Sequence, residues 1–309
     1  MTSCAPTGHR PPTAAERVAR RRPSTVHGLL VVDKPAGVTS HDVVGMIRRR
    51  FGERRVGHAG TLDPGATGVL VVGIGAVTRL LRFVTEGTKR YTAEVVLGVE
   101  TDTLDADGVV SATHAMAPIR VEDASRVIAA HLTGGIEQVP PMVSALKVGG
   151  RRLHELAREG VEVERSPRPV TVHRFDVTGM STDGDGRQVL AVDVECSAGT
   201  YVRTLAADLG RLLGGGAHLR ALRRTAVAPF TIDDAAPPDV AELLPPAAAV
   251  RGLRAVTVDD ATAAVVATGG VLDAPPGDGP WAVAAEDGTL LAVYEPFRGR
   301  AKPAVVLAH

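Results

Sequence analysis

Gly57-His58-Ala59-Gly60-Thr61-Leu62-Asp63-Pro64-Gly65-Ala66-Thr67-Gly68 runs straight into the apolar Val69-Leu70-Val71-Val72. Four glycines and one proline in twelve positions predict a tight loop feeding a buried strand. The loop holds one carboxylate, Asp63. A charge set in so narrow a backbone is held by its surroundings, as a catalytic acid is. Asp-Pro-Gly is also a common turn, and on the loop alone most such tripeptides are only turns. A phosphate cradle is excluded, because no Gly-Lys-Ser/Thr follows the glycines. The spacing also misses the Gly-x-Gly-x-x-Gly of dinucleotide folds.

Working outward, Gly28–Asp33 reads as a buried strand closing at the turn Lys34-Pro35-Ala36-Gly37. Ser40 is placed to cap a helix through about Phe51, with Val43, Val44 and Ile47 on one face. A short helix near Thr78–Val84 follows the loop strand, and Arg90–Leu97 alternates as a further strand. Thr101–Gly108 is an acidic loop and Val121–Leu132 an amphipathic helix. Val139–Gly160, with Pro140-Pro141 and Gly149-Gly150, reads as an excursion from the core. Val170–Thr178 and Gln188–Glu195 predict two antiparallel strands, followed by a helix over Thr200–Leu213 and a strand near Ala221–Ala228. Strands and helices without regular βαβ alternation indicate an α+β fold around a mixed or antiparallel sheet. The expected domains are a basic, disordered tail (1–26), a catalytic domain (27–230) carrying the insertion 139–160, a linker (231–252) bracketed by Pro237-Pro238 and Pro245-Pro246, and a small module (253–309).

Composition narrows the function. In 309 residues, 44% are hydrophobic but only 3% aromatic, so two of the three tyrosines, Tyr91 and Tyr201, stand out inside motif-like segments. Two cysteines, Cys4 and Cys196, make no disulfide framework, and no Cys/His cluster has zinc spacing. There is neither a secretory h-region nor a run long enough to span a membrane, so a cytoplasmic, metal-free protein is expected. Net charge is zero but uneven: residues 1–26 carry +4, 27–230 carry +2 and 231–309 carry −6. Basic clusters at Arg48-Arg49-Arg50, Arg54-Arg55, Lys89-Arg90, Arg151-Arg152, Arg220 and Arg223-Arg224 fit a solvated face as well as a phosphate-tracking one.

Seven segments in order resemble the TruB family of pseudouridine synthases. They are Gly28–Pro35, the Asp63 loop, Lys89-Arg90-Tyr91, Thr101–Gly108, Pro141-Met142-Val143-Ser144-Ala145-Leu146-Lys147, Ser197-Ala198-Gly199-Thr200-Tyr201-Val202-Arg203-Thr204 and Leu222-Arg223-Arg224. The resemblance spans about residues 28–228. It implies a pseudouridine synthase catalytic domain with a small C-terminal PUA-like RNA-binding module. It also implies isomerisation of uridine to pseudouridine at position 55, in the T loop of tRNA, without metal or organic cofactor. By the same resemblance Asp63 is the catalytic aspartate, Tyr91 the residue that stacks on the base and takes its C5 proton, and Arg203 the partner of Asp63. Tyr201 shares the Arg203 motif, Lys34 supports the site, Leu222 walls the base, and His58 handles extruded nucleotides. Lys147, Arg151 and Arg152 are implied to clamp RNA phosphates from the 139–160 insertion.

The physics accommodates these roles. A uridine in a folded loop has to leave its stack, at a cost of a few kcal/mol, and stacking on an aromatic returns on the order of 1–3 kcal/mol. Lys89-Arg90 ahead of Tyr91 suggests an RNA-facing strand end, and the small loop residues suggest clearance for the extruded nucleotide. The expected enzyme is a monomer acting on tRNA with no obligate protein partner. Two rivals remain: a tRNA-folding helper, and a glycosidase pairing Asp63 with Asp102 or Asp105.

Overall fold

The structure is a computed structural model that describes residues 23–307. Residues 1–22, and with them Cys4 and most of the expected basic tail, lie outside the described residues. The last residues of that tail are fixed in place: Glu53 Oε1 accepts from the backbone nitrogens of Thr25 at 2.6 Å and Val26 at 3.1 Å.

Among the described residues the main sheet has nine strands. Its elements are β1 (Gly28–Lys34), α1 (Ser40–Phe51), β2 (Val56–His58), β3 (Thr67–Ile74), α2 (Leu81–Thr85) and β4 (Lys89–Leu97). A side hairpin, β5 (Val99–Thr101) with β6 (Val110–Thr113), leads to α3 (Val121–His131) and β7 (Gly134–Gln138). The insertion carries β8 (Lys147–Val148), β9 (Arg151–Arg152) and α4 (Leu153–Arg158). Then come β10 (Arg168–Thr182), β11 (Gln188–Cys196), α5 (Val202–Leu212), β12 (Ala217–Val227) and β13 (Phe230–Thr231). Strand order is β1-β3-β12-β4-β11-β10-β7, with β2 added to β3 and β13 to β12. Neighbours are antiparallel except β3 and β12, which meet in parallel at Thr67/Arg223 and Gly68/Arg224. The sheet is therefore mixed, as expected.

The continuous apolar runs of β1 and β3 are explained by burial on both faces. Successive strand residues point to opposite sides. Leu30, Val32, Leu70 and Val72 pack against α1 residues Val43, Val44 and Ile47. Leu29, Val31, Val69 and Val71 pack on the other side. Along β4, β11 and β12 a third core forms against α3 and α5, including Val95, Leu190, Val192, Ile128, Leu205 and Leu209.

The cap of α1 is Thr39, not Ser40. Thr39 has the extended backbone of a cap and forms a reciprocal box with Asp42. That frees the Ser40 hydroxyl for the Asp63 loop. Likewise the helix expected from Thr200 begins at Val202, because Tyr201 is still extended.

Within the expected linker 231–252, residues 236–244 run along the outer edge of β1. Leu29 and Leu244 exchange backbone hydrogen bonds at 2.9 and 2.8 Å, and Asp33 N donates to Ala236 O at 2.9 Å, covering an edge that would otherwise be open. The C-terminal module is a five-stranded sheet of β14 (Arg254–Val258), β15 (Leu272–Asp273), β16 (Trp281–Ala285), β17 (Leu290–Phe297) and β18 (Arg300–Val306), with helix α6 (Asp260–Ala267). Trp281, Val283, Tyr294 and Val266 form its own small core. Ala282, Leu290, Val293, Val305 and Leu307 share a cluster with Leu29, Val31, Val69, Val71 and Phe230, so one side of the module completes the core of the main sheet.

Candidate active site

The Asp63 loop joins β2 to β3 and is braced from three sides. Ala59 N donates to Val71 O at 2.9 Å, and Ala66 N closes a turn on Asp63 O at 3.1 Å. Ser40 Oγ accepts from Leu62 N at 2.9 Å and donates to Leu62 O at 3.1 Å, tying the loop to α1. Lys34 Nζ, fully buried, donates to the carbonyls of Pro35, Val38 and Pro64. Arg224, 1% exposed, donates from Nε to Val69 O at 2.7 Å, from Nη1 to Thr61 O at 3.3 Å and from Nη2 to Gly60 O at 3.1 Å.

These braces explain two of the glycines differently from the clearance expected above. Gly68 has φ +102°, and a Cβ there would lie 2.2 Å from the carbonyl oxygen of Arg224. A Cβ on Gly65 would meet the Asp107 carboxylate at 3.1 Å. The small residues thus let protein close on protein.

Asp63 meets Arg203 side-on: Nε to Oδ2 is 3.0 Å and Nη2 to Oδ1 is 3.2 Å. Arg203 lies in the first turn of α5, with 4% of its side chain exposed against 38% for Asp63. The remaining donors of the guanidinium are engaged too. Nη1 reaches Thr103 O at 2.9 Å and Asp105 Oδ2 at 3.5 Å, and Nη2 reaches Val143 O at 2.8 Å. Such a fork fixes a carboxylate in one orientation. Burial holds the Asp63 carboxyl above its ordinary range; Arg203 opposes this, and the Asp105 charge adds to it.

Asp63 and Arg203 open on a cavity of about 260 Å³, also lined by Leu62, Tyr91, Leu222, Tyr201, Ser144, Ala145, Lys89 and Arg224. A smaller recess beside it is lined by Asp63, Asp105, Asp107 and Leu222. Tyr91 is buried and not on an outer face, with this cavity as its opening, and burial raises its phenol. Strand alternation explains this: Lys89 and Tyr91 point into the protein, while Arg90 between them points out to Glu195. Tyr201 is set by Gln138, whose amide accepts from Tyr201 N at 3.0 Å and donates to Tyr201 O at 3.2 Å.

Residues 48–202 match the model of the TruB family pseudouridylate synthase N-terminal domain. Residues 203–244 match the tRNA pseudouridylate synthase B C-terminal domain. The chain belongs to the TruB family. It is 48% identical over 297 residues to the tRNA pseudouridine synthase B of Arthrobacter sp. (strain FB24), covering 91% of this chain and 96% of that relative. It is also 48% identical over 258 residues to the enzyme of the same name from Symbiobacterium thermophilum, covering 82% and 85%. Among solved structures, one chain of a Cbf5-Nop10-Gar1 complex shares the fold, with a TM-score of 0.67 at 24% identity over 91% of this chain and 84% of that one. The fold is that of a pseudouridine synthase with a PUA-like C-terminal module. The two family models part between Val202 and Arg203, inside the first turn of α5; they divide the sequence but not the fold.

Within this TruB fold the other expected site residues are placed less uniformly. Asp63, Tyr91, Arg203, Tyr201 and Leu222 share the cavity. Lys34, implied to support the site, braces the loop from within, and burial lowers its ammonium to about 8. His58 does not line the cavity. It sits edge-on to His41, with centroids 5.6 Å apart, and burial lowers its imidazole to about 4. Lys147, Arg151 and Arg152 lie on the β8–β9 hairpin, where Arg151 pairs with Glu159. The insertion enters the site through Val143, Ser144 and Ala145 instead. Several basic clusters are engaged with protein. Arg50 Nη1 donates to Ala241 O, Arg90 pairs with Glu195, Arg220 with Glu94, and Arg223 with Asp33. Sequence reasoning gave no role to Gln138, read Ser40 as a helix cap and Lys89 as part of an RNA-facing strand end, and treated Arg224 only as part of a motif and a basic cluster. Burial of polar side chains, invisible in one sequence, is what marks them. No helix among the described residues is long and apolar enough to cross a membrane.

Proposed function

We propose that this chain converts uridine to pseudouridine at position 55, in the T loop of tRNA. The observation that carries the reading is the Asp63–Arg203 fork at the wall of a cavity suited to one nucleoside. The flipped base stacks on Tyr91 and rests against Leu222, returning part of the cost of extrusion. Arg203 keeps Asp63 oriented and favours its ionised form against burial. The carboxylate then attacks the nucleotide or removes the C2′ proton as the C1′–N1 bond breaks. The freed base turns and C5 joins C1′ as Asp63 leaves it or returns the C2′ proton. The Tyr91 oxygen then takes the C5 proton while the phenol's own proton passes to N1, which restores both side chains. Mass and oxidation state are unchanged, so neither a metal nor an organic cofactor is needed.

Supporting this are the relatives named tRNA pseudouridine synthase B. Against the hydrolase alternative, Asp105 accepts from Thr103 Oγ1 at 2.6 Å and faces Arg203, and Asp102 accepts from Val109 N at 2.8 Å. We read the enzyme as a cytoplasmic monomer that needs no protein partner. Lys147, Arg151 and Arg152 are left to the outer RNA backbone, and His58 to the nucleotides beside the target. The test is chemical mapping of pseudouridine on an unmodified T-arm stem-loop. Wild type should convert the target, and Asp63→Asn should not, while binding the RNA within a few-fold. Turnover by the Asn variant would falsify the assignment of Asp63.

A further inference from the structure

Two buried cations in the cavity are not accounted for by the chemistry above. Lys89 is 6% exposed and Arg224 1%, and both line the cavity that holds Asp63. Among the described residues neither forms an ion pair, in contrast to Arg203, which faces two carboxylates. Lys89 Nζ donates to Thr85 O at 2.6 Å and Gly87 O at 2.7 Å, which leaves one of its three N–H groups. Charges buried without counter-charge are costly unless something charged or strongly polar meets them in the working state.

Their position says what that is. Lys89 precedes Tyr91 by two residues on one face of β4, and Arg224 is the cross-strand partner of Tyr91. Both converge on Gly60, where a Cβ would lie 3.6 Å from Arg224 Nη1 and 3.9 Å from Lys89 Cε. A nucleotide extruded from the middle of a strand keeps both of its phosphates at the mouth, because the chain leaves in two directions. The deep groups therefore meet the base.

We propose that Lys89, backed by Arg224, donates to a carbonyl oxygen of the extruded uracil and stabilises the negative charge the base carries once C1′–N1 breaks. This rests on the isomerase reading above. The electron pair of that bond stays with the base, spread over N1, O2 and O4, while the sugar carbon is taken up through Asp63. The charge leaves the base when C5 joins C1′ and Asp63 departs as its carboxylate. The C5 proton then passes to the Tyr91 oxygen as the phenol gives its own to N1. A cation preorganised where charge develops is the arrangement expected to speed such a step.

Burial and the Arg224 charge lower the Lys89 ammonium to about 8. The groups facing it are Arg224 from β12, Cys196 from β11, Tyr91 on its own strand, and the neutral carbonyls of Thr85 and Gly87. Burial holds the Cys196 thiol up at about 11 and raises the Tyr91 phenol, so neither loses its proton in the same range. Lys34 also titrates near 8, and the Arg variant separates the two lysines.

The experiment is single-turnover conversion of a T-arm stem-loop across pH 6.5–10, with RNA affinity measured in parallel, for wild type, Lys89→Met and Lys89→Arg. Loss of one such donor predicts a rate about 100-fold lower in the Met variant, with affinity unchanged within about threefold. Wild type should slow as pH rises through about 8. The Arg variant, always charged, should keep its rate to higher pH, and it decides the matter alone if the Met variant does not fold. Wild-type rates in both variants overturn the proposal. So does a Met variant that binds RNA more than tenfold more weakly yet reacts normally at saturation, since the contact would then be to phosphate. Wild type that makes no pseudouridine overturns the isomerase reading itself.

Discussion

The carbonyl oxygen of Arg224 occupies the space that a Cβ on Gly68 would need, 2.2 Å away. This contact sits where β3 and β12 meet in parallel within the main sheet. It also brings the guanidinium of Arg224 over the carbonyls of Gly60 and Thr61. Gly68→Ala should therefore destabilise the protein by about 2–4 kcal/mol through overpacking and a φ that suits only glycine. Urea denaturation measures this, and a loss below about 0.5 kcal/mol would contradict it.

The Asp63 carboxyl, raised by burial, must be ionised to act. Activity should fall as pH drops through that raised value, above the ordinary carboxylate range near 3.9. Removing the guanidinium in Arg203→Met leaves burial unopposed, so the acid limb should move to higher pH as well as the rate falling. A pH profile of single-turnover rates reads the shift; an unmoved acid limb would count against the fork.

Tyr91→Phe keeps the ring and removes the phenol. RNA affinity should stay near wild type while the chemical step slows by about 100-fold, within the range for general base loss. Tyr91→Ala should lose both, with binding weaker by about 1–3 kcal/mol.

Ser40→Ala removes the hydroxyl that both accepts from and donates to the Leu62 backbone. Two buried backbone groups lose a partner, which should cost about 1–3 kcal/mol of stability. A circular-dichroism melt checks this, and thermal stability equal to wild type would show that the loop does not lean on α1.

The His58 imidazole is held down to about 4 against an ordinary 6.5. The unfolded chain takes up a proton that the folded one refuses, so the neutral-His58 contribution to stability is complete above pH 6.5 and is lost as pH falls toward 4. Denaturation midpoints across that window should drop more steeply in wild type than in His58→Gln. Parallel curves would rule His58 out.

Much of this was legible in the sequence because strand alternation and capping residues are local signals. The loop glycines, the apolar runs of β1 and β3, and the helix face of Val43, Val44 and Ile47 read directly. The family motifs brought Asp63, Tyr91 and Arg203 together although they are far apart in the chain. What stayed hidden depends on which way a polar side chain turns. Ser40 looked like a cap and proved to be a loop brace, since Thr39 has the extended backbone a cap requires. Lys89 read as a cation facing RNA and Lys34 as a support of the site, yet both are buried on carbonyls. A lysine in a single sequence gives no sign of whether its ammonium faces water.

The shared cluster joining Val293, Val305 and Leu307 to Leu29 and Val31 has a consequence for synthesis. On the ribosome, β1 emerges more than two hundred residues before its covering partners on β17 and β18. One face of β1 therefore waits, wet and adhesive, until β17 and β18 have been made. A chain stalled before them would present that strip to chaperones, and completing β17 and β18 is what withdraws it.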